Sequence, residues 1–335
     1  MIVGVSRCLE RARWLCAAAA TTRCPVLLVG PTGTGKELFA REIHRMSGRA
    51  GPLRDVNCAA VPRDLFEGQF FGHRKGAFTG ADSDFTGLVE SSSGGTLFLD
   101  EICSLGFEAQ AKLLRFVETA EVLRLGETRP RRIDLRIVAA AGDQLWPRVA
   151  EAEFRRDLLQ RIGQVCIELT PLADRPEDIM PIASYFAVSH GRCIRPGAEA
   201  VLLGHSWPGN VRELRTVIAN AAMIDSAPVI DGGAIRDAFT VGLPHARLRQ
   251  DGQTAGEVPA RGRLLALCYR FDWQAGRMAA AMGVSRSTLF RRLRQAGISL
   301  RGLAASGSRQ AFLPAIEAAV LAPGRSGSAP VEVFD

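Results

Sequence analysis

The residues best equipped for chemistry lie in two short strings. Gly30-Pro31-Thr32-Gly33-Thr34-Gly35-Lys36-Glu37 has the spacing G-x-x-x-x-G-K. Glycines so placed let backbone N–H groups close around a phosphate chain without Cβ clashes, and a helix starting at the lysine adds its positive dipole end. Lys36 has the reach to meet the outer phosphates. The string departs from the common form at Glu37, where a Ser or Thr hydroxyl usually touches Mg²⁺. The second string is Gly95-Thr96-Leu97-Phe98-Leu99-Asp100-Glu101. An apolar strand there delivers adjacent carboxylates to its C-terminal edge, where α/β sites form. Asp100 suits the shell of a nucleotide-bound Mg²⁺, and Glu101 suits polarising an attacking water. In this order the two strings point to hydrolysis of a nucleoside triphosphate.

The elements that must hold these residues are legible around them. Residues 25–29 (PVLLV) read as a buried strand running into Gly30, and a helix follows from 36 to 46. Residues 96–99 and 134–140 (DLRIVAA) read as further strands, and 7–20 and 107–119 as amphipathic helices. Strands alternating with helices predict an α/β fold, a mainly parallel sheet flanked by helices on both faces. From 171 to 239 the patterns are helical with no strand. Residues 241–260 are rich in Gly, Pro and polar residues and read as a linker. Residues 261–300 read as three short helices, and 301–335 as a loose tail.

Composition narrows the setting. The 335 residues carry a net charge of +7. Nine arginines and one acid fall between Arg261 and Arg301, so that segment carries +8 and the rest −1. A local excess of this kind suits a nucleic-acid partner or a solvated basic face. No apolar run approaches the ~18 residues of a membrane span, and no secretory signal is visible at the start. Eight scattered cysteines without a CxxC pair fit neither a zinc cluster nor a disulfide scaffold. A cytoplasmic setting is expected. Only three basic residues are lysines: Lys36, Lys75 and Lys112.

Gly76-Ala77-Phe78-Thr79-Gly80-Ala81 is the string that decides between classes of such machines. It resembles the signature loop of the AAA+ activators that work with sigma-54 RNA polymerase, the bacterial enhancer-binding proteins, which include two-component-like response regulators. The resemblance extends to GPTGTGKE (30–37), VNCAAVP (56–62), FFGHRKGAFTGA (70–81), GGTLFLDEI (94–102), QAKLLRFVE (110–118), FRRDLLQRI (154–162) and WPGNVREL (207–214). It implies an AAA+ P-loop NTPase subdomain at 1–170, a helical lid at 171–240 and, at 261–300, an all-α Fis-type helix-turn-helix. It also implies ATP and Mg as cofactors. The partners it implies are sigma-54 polymerase, double-stranded enhancer DNA and further copies of the chain in a ring, a hexamer in this family. Phe78 and Thr79 would form the tip that contacts sigma-54. Asn57 would restrain Glu101 as a switch, although such a residue by itself more often forms a turn or cap. Arg155 and Arg161 would reach a neighbouring subunit's γ-phosphate as fingers. By themselves they read as surface ion pairs with Glu153 or Asp157. Arg212 would sense nucleotide within the subunit, and Trp207 and Pro208 would fix the lid turn.

Within the C-terminal module, Gly283 falls at the turn and Ser285 at the N-cap of the last helix. Ala279, Ala280, Met282, Val284, Leu289 and Leu293 supply apolar faces. Arg286, Ser287 and Thr288 would face base edges, and Arg291, Arg292 and Arg294 phosphates. A small dimerisation bundle is the alternative for this segment. One departure stands out. The family's polar Thr-Asn pair after DLRIVAA is here Ala141-Gly142, and Asp143 or Gln144 would replace it only with a shift of loop register. Slow or differently coupled hydrolysis is expected. The AAA+ part starts at residue 2, so control is expected from a separate regulator, a co-assembling subunit or expression level. The rival readings are a hydrolysis-poor DNA-bound regulator in a mixed ring and an AAA+ machine of another class.

Overall fold

A computed structural model of the chain describes residues 1–224, 227–241, 264, 274–282 and 284–296. They divide into two units, Met1–Ile182 with Trp207–Val217, and Ala183–Ser206 with the chain from Ile218 onward.

The first unit is built on strands β1 (Val26–Val29), β2 (Leu53–Asn57), β3 (Thr96–Asp100), β4 (Glu121–Val122), β5 (Arg131–Arg132), β6 (Arg136–Ala141) and β7 (Val165–Glu168). Its helices are α1 (Arg7–Ala20), α2 (Lys36–Ser47), α3 (Phe66–Phe71), α4 (Leu88–Ser91), α5 (Phe107–Thr119), α6 (Leu145–Ala150) and α7 (Arg156–Ile162). The main sheet is all parallel, in the order β2-β3-β6-β1-β7. Strand alternation assigns its side chains to two cores. Val26, Leu28, Val138 and Ala140 pack with Leu9, Phe39 and Ile43 under α1 and α2. Leu27, Val29, Ile137 and Ala139 pack with Phe66, Phe70, Leu113 and Leu158 on the other face. Both faces are covered, as the strand–helix alternation predicts. The strands legible in the sequence are the fully buried central ones. β2 and β7 lie at the edges and bury a single residue each, Val56 and Ile167, so neither forms an apolar run.

Parallel register sets the working edge. Val29 pairs with Ala141, and Asn57 pairs with Asp100, so the strands end level and the loops after them share one side. Buried charges lock the surroundings. The Arg136 guanidinium, 2% exposed, donates to the last carbonyls of α1, Ala19 O at 2.7 Å and Ala20 O at 3.1 Å. It supplies the cation that α1 lacks in its own last turn. Asp178, fully buried, accepts from Ser6 N at 2.7 Å and Ser6 Oγ at 2.6 Å, and lies 3.5 Å from Arg175. Removing one partner of a buried pair strands the other charge. Asp178→Ala should therefore cost about 3–5 kcal/mol. The loss is read as a lowered urea midpoint, and an unchanged midpoint contradicts the role given to Asp178.

Two further helices, α8 (Ile179–Ser189) and α10 (Asn210–Ile224), begin in the first unit and continue into the second. The second unit adds α9 (Glu199–Leu203) and α11 (Gly232–Val241). It also contains a parallel pair, β8 (Cys193–Ile194) with β9 (Val229–Ile230). That corrects the expectation of no strand between 171 and 239. The pair spans two residues on each side, too short to leave a periodic signal.

Near the C-terminus lie α12 (Ala275–Ala281) and α13 (Arg286–Gln295). Leu264, Met278, Ala279, Leu289 and Leu293 form their buried cluster. Ala280, expected on the apolar face, is exposed. Ser285 caps α13 as expected, its Oγ accepting from Thr288 N at 3.2 Å. The 241–260 linker, the first of the three expected helices, Gly283 and the 301–335 tail lie outside the described residues, Val241 and Leu264 apart.

Candidate functional site

The glycine string forms the turn between β1 and α2. Gly30 N donates to Ala141 O at 3.1 Å, which ties the loop to the neighbouring strand. Gly33 adopts φ +82°, and a Cβ there would stand 2.3 Å from Gly209 O. Only glycine fits that close approach. Thr34 Oγ1 donates to Pro31 O at 2.8 Å and tightens the turn. Gly35 opens α2 with φ +103° and bears no side-chain cap, leaving the helix N-terminus to a ligand.

Lys36 is 7% exposed and donates to Gly30 O at 2.8 Å and Pro31 O at 3.2 Å. Burial pushes its ammonium below the ordinary lysine range, while Asp100, Glu101 and Asp143 pull it back up. A lysine lowered on folding binds fewer protons in the folded state, so its penalty fades as pH rises towards the ordinary lysine value. A buried ammonium at the start of a helix is suited to an anion. Lys36→Met should leave the nucleotide-free melting temperature unchanged or higher and remove stabilisation by ATP. At about 100 times Kd that stabilisation is worth about 2.7 kcal/mol in the parent chain. A variant still stabilised by ATP contradicts the placement. Glu37 does not face the loop chemistry: it pairs with Arg41 at 2.7 Å along α2.

Two residues that sequence reasoning left without a role hold the loop from behind. Asn210 Nδ2 donates to Thr32 O at 3.0 Å, and its Oδ1 accepts from Leu172 N at 2.8 Å. Arg175 Nη2 donates to Thr34 O at 3.3 Å. Val211 N and Arg212 N donate to Gly33 O at 2.9 and 3.3 Å. Arg212 lies close enough to Lys36 to lower its proton affinity. Trp207, 1% exposed at φ +49°, packs at this turn as expected, whereas Pro208 is exposed. Asn210 stood in WPGNVREL, but nothing local showed that its amide bridges two distant backbones.

Asp100 ends β3, and Glu101 follows it at the same edge. Asp100 Oδ1 accepts from Glu101 N at 2.9 Å, and Glu101 takes a left-handed backbone, φ +52°. Asn57 stands beside Asp100 in the sheet, but its side-chain oxygen accepts from Ala59 N at 2.9 Å. That oxygen caps the turn after β2. The carboxylate of Glu101 is met by Gln144 Nε2 at 3.2 Å. Ala141 keeps its register with Val29, so the turn into α6 carries Gln144 there without a strand shift.

With this geometry in place, residues 2–168 match the sigma-54 interaction domain and residues 173–250 the AAA+ ATPase lid domain. The sigma54-dependent transcriptional regulator SfnR of Pseudomonas fluorescens is 43% identical over 268 residues, covering 77% of this chain and 71% of SfnR. The chain belongs to the sigma-54-dependent transcriptional regulators. The regulatory protein AtoC of Escherichia coli is 39% identical over 306 residues, 84% of this chain but 64% of AtoC. The crystal structures of NtrX from Brucella abortus with ADP and with ATP superpose with a TM-score of 0.68 at 30% identity, covering 89% of this chain and 70% of theirs. The fold is thus the AAA+ P-loop NTPase fold with its lid, and one of the NtrX structures holds ATP.

In this sigma-54-dependent regulator the loop Gly76–Ala81 is compact. Gly76 N donates to Ala81 O at 2.8 Å, and Ala81 N to Phe78 O at 3.0 Å. Gly76 and Gly80, at φ +82° and +96°, turn the chain into and out of the tip. Phe78 is 43% exposed and rests edge-on against His73, ring centres 4.9 Å apart, while Ala81 is buried. The β4–β5 hairpin buttresses the base, Arg74 N donating to Leu125 O at 2.9 Å.

The two arginines expected as fingers are engaged within the chain. Arg155 caps α7 rather than riding on it, pairs with Asp157 at 2.7 Å and lies over Phe107 at 5.1 Å. Arg161 pairs with Glu118 at 3.1 Å. Both pairs are exposed enough to exchange at little cost. On α13, Arg291, Arg292 and Arg294 are exposed. Arg286 reaches back over α12, where a Cβ on Gly276 would stand 2.8 Å from its Nη2. The hydroxyls of Ser287 and Thr288 lie 2.8 and 2.9 Å from Ser285 Oγ, so they are occupied in the cap. Among the described residues no group of three or more His, Cys, Asp or Glu could hold a metal ion, and no helix is long and apolar enough to cross a membrane.

Proposed function

We propose that this chain is an ATP-hydrolysing transcription activator that binds upstream enhancer DNA and remodels the closed complex of sigma-54 polymerase. The observation that carries the reading is the shared sheet edge where Lys36, Asp100 and Glu101 converge in a chain that also displays Phe78 on a self-supported loop. The donor set fits a triphosphate: a buried ammonium held on loop carbonyls, an uncapped helix start, and carboxylates opposite. Mg²⁺ would be held by Asp100 and the nucleotide's own oxygens, supplying charge neutralisation at the phosphates. Glu101 takes the proton of the attacking water. Arg212 faces the nucleotide from the same subunit. Arg155 and Arg161 reach a neighbour's nucleotide after leaving Asp157 and Glu118, so hydrolysis depends on assembly into a ring, taken as hexameric.

The domain plan follows: 1–170 for nucleotide, 171–240 as lid, 241–260 as linker and 261–300 as the DNA reader. In that reader Arg291, Arg292 and Arg294 meet phosphates. Arg286, Ser287 and Thr288 read bases only after releasing Gly276 and the Ser285 cap. A cytoplasmic setting and a co-assembling regulator fit this reading. Ala141-Gly142 favours a second reading, a slow hydrolyser that partners a faster subunit. Open-complex formation at a sigma-54 promoter with the purified chain and ATP tests the first reading. Activity only on adding a second activator supports the other.

A further inference from the structure

Gly142 directly follows β6 and carries no side chain. Its backbone is outside the left-handed region, so φ does not require glycine there. What the missing side chain leaves is space, and Gln144 fills it. A Cβ on Gly142 would stand 2.7 Å from Gln144 Oε1 and 3.3 Å from its Cδ. Gln144 occupies the N-cap of α6, a position that favours short Ser, Thr, Asp or Asn side chains. It makes no side-chain cap bond there. Its amide instead crosses to Glu101, Nε2 to Oε2 at 3.2 Å. Asn57, the other amide near this edge, accepts with its side-chain oxygen from Ala59 N.

We propose that Gln144 is the positioning residue for the Glu101 carboxylate in this chain, and that Gly142 is the vacancy that admits it. This rests on Glu101 being the base for water. An amide donor fixes one carboxylate oxygen and leaves the other directed at the site. Without it, Glu101 samples rotamers that miss the water, and turnover falls while substrate binding does not.

The test is steady-state ATP hydrolysis by the full chain, with Glu101→Gln as the reference. Gln144→Ala is expected to lower kcat about 10- to 100-fold, the range for a hydrogen bond to a charged group, with KM for ATP little changed. Gln144→Met keeps the shape without the donor and should lose as much, an outcome that a packing role would not produce. Gly142→Ala pushes the amide aside, so it should slow turnover in the parent and add no further loss in Gln144→Ala. Near-parental kcat in both Gln144→Ala and Gln144→Met, with Glu101→Gln inactive, overturns the inference and leaves the ATPase reading standing. Near-parental kcat in Glu101→Gln overturns both. Melting temperatures close to the parent's are the control, expected because the Gln144 side chain is exposed.

Discussion

Glu101→Gln should lower ATP turnover about 10²- to 10⁴-fold, the range for removing a positioned general base, and leave ATP binding nearly intact. Glutamine keeps the shape of the side chain and its hydrogen-bonding reach, so the left-handed turn at Glu101, φ +52°, and the level strand ends are retained. What goes is the ability to accept a proton. Lys36, at the start of α2, and the glycines of the turn between β1 and α2, to which binding is assigned, lie outside β3. Phosphate release measured beside binding of a fluorescent ATP analogue separates the two effects. Turnover near the parent's removes Glu101 from the chemistry. A loss of binding equal to the loss of turnover means that its role is structural.

Phe78→Ala carries the other large effect: promoter opening should fall to background while ATP hydrolysis continues. A half-exposed aromatic at the tip of a loop is the kind of anchor that costs about 2 kcal/mol or more when truncated, roughly 30-fold in affinity. The loop is held by its own backbone bonds, Gly76 N to Ala81 O and Ala81 N to Phe78 O, and by the β4–β5 hairpin. Removing the ring therefore leaves the loop folded. Thr79→Ala, at an exposed tip position, should act in the same direction. Sigma-54 binding and open-complex yield are the readouts. Binding and opening intact in both variants would falsify the role given to this loop.

These two effects trace to residues that the sequence exposes directly, because glycine spacing and an apolar run ending in acids are local patterns. Other parts of the site depend on distance. Asp178 meets Ser6 across 172 positions, and Arg136 reaches Ala20 across 116. No window of sequence contains both partners. β2 and β7 were illegible because an edge strand buries one residue and leaves no run. Arg155 and Asp157 are neighbours, so their ion pair was legible, whereas Glu118 stands 43 positions from Arg161. Asn57 was legible from its residue type as a turn or cap former, and its side-chain oxygen caps the turn after β2. Gln144 was visible only as a residue beside a gap. Its contact with Glu101 arises because β6 runs beside β3 to the same edge and Gly142 leaves room.

Transcription from a sigma-54 promoter with an upstream binding site tests the central claim most directly. The purified chain is the sole activator, and ATP is compared with a non-hydrolysable analogue. Open complexes should form with ATP and not with the analogue. Equal yields with both, or none with ATP while the chain consumes it, would contradict the account.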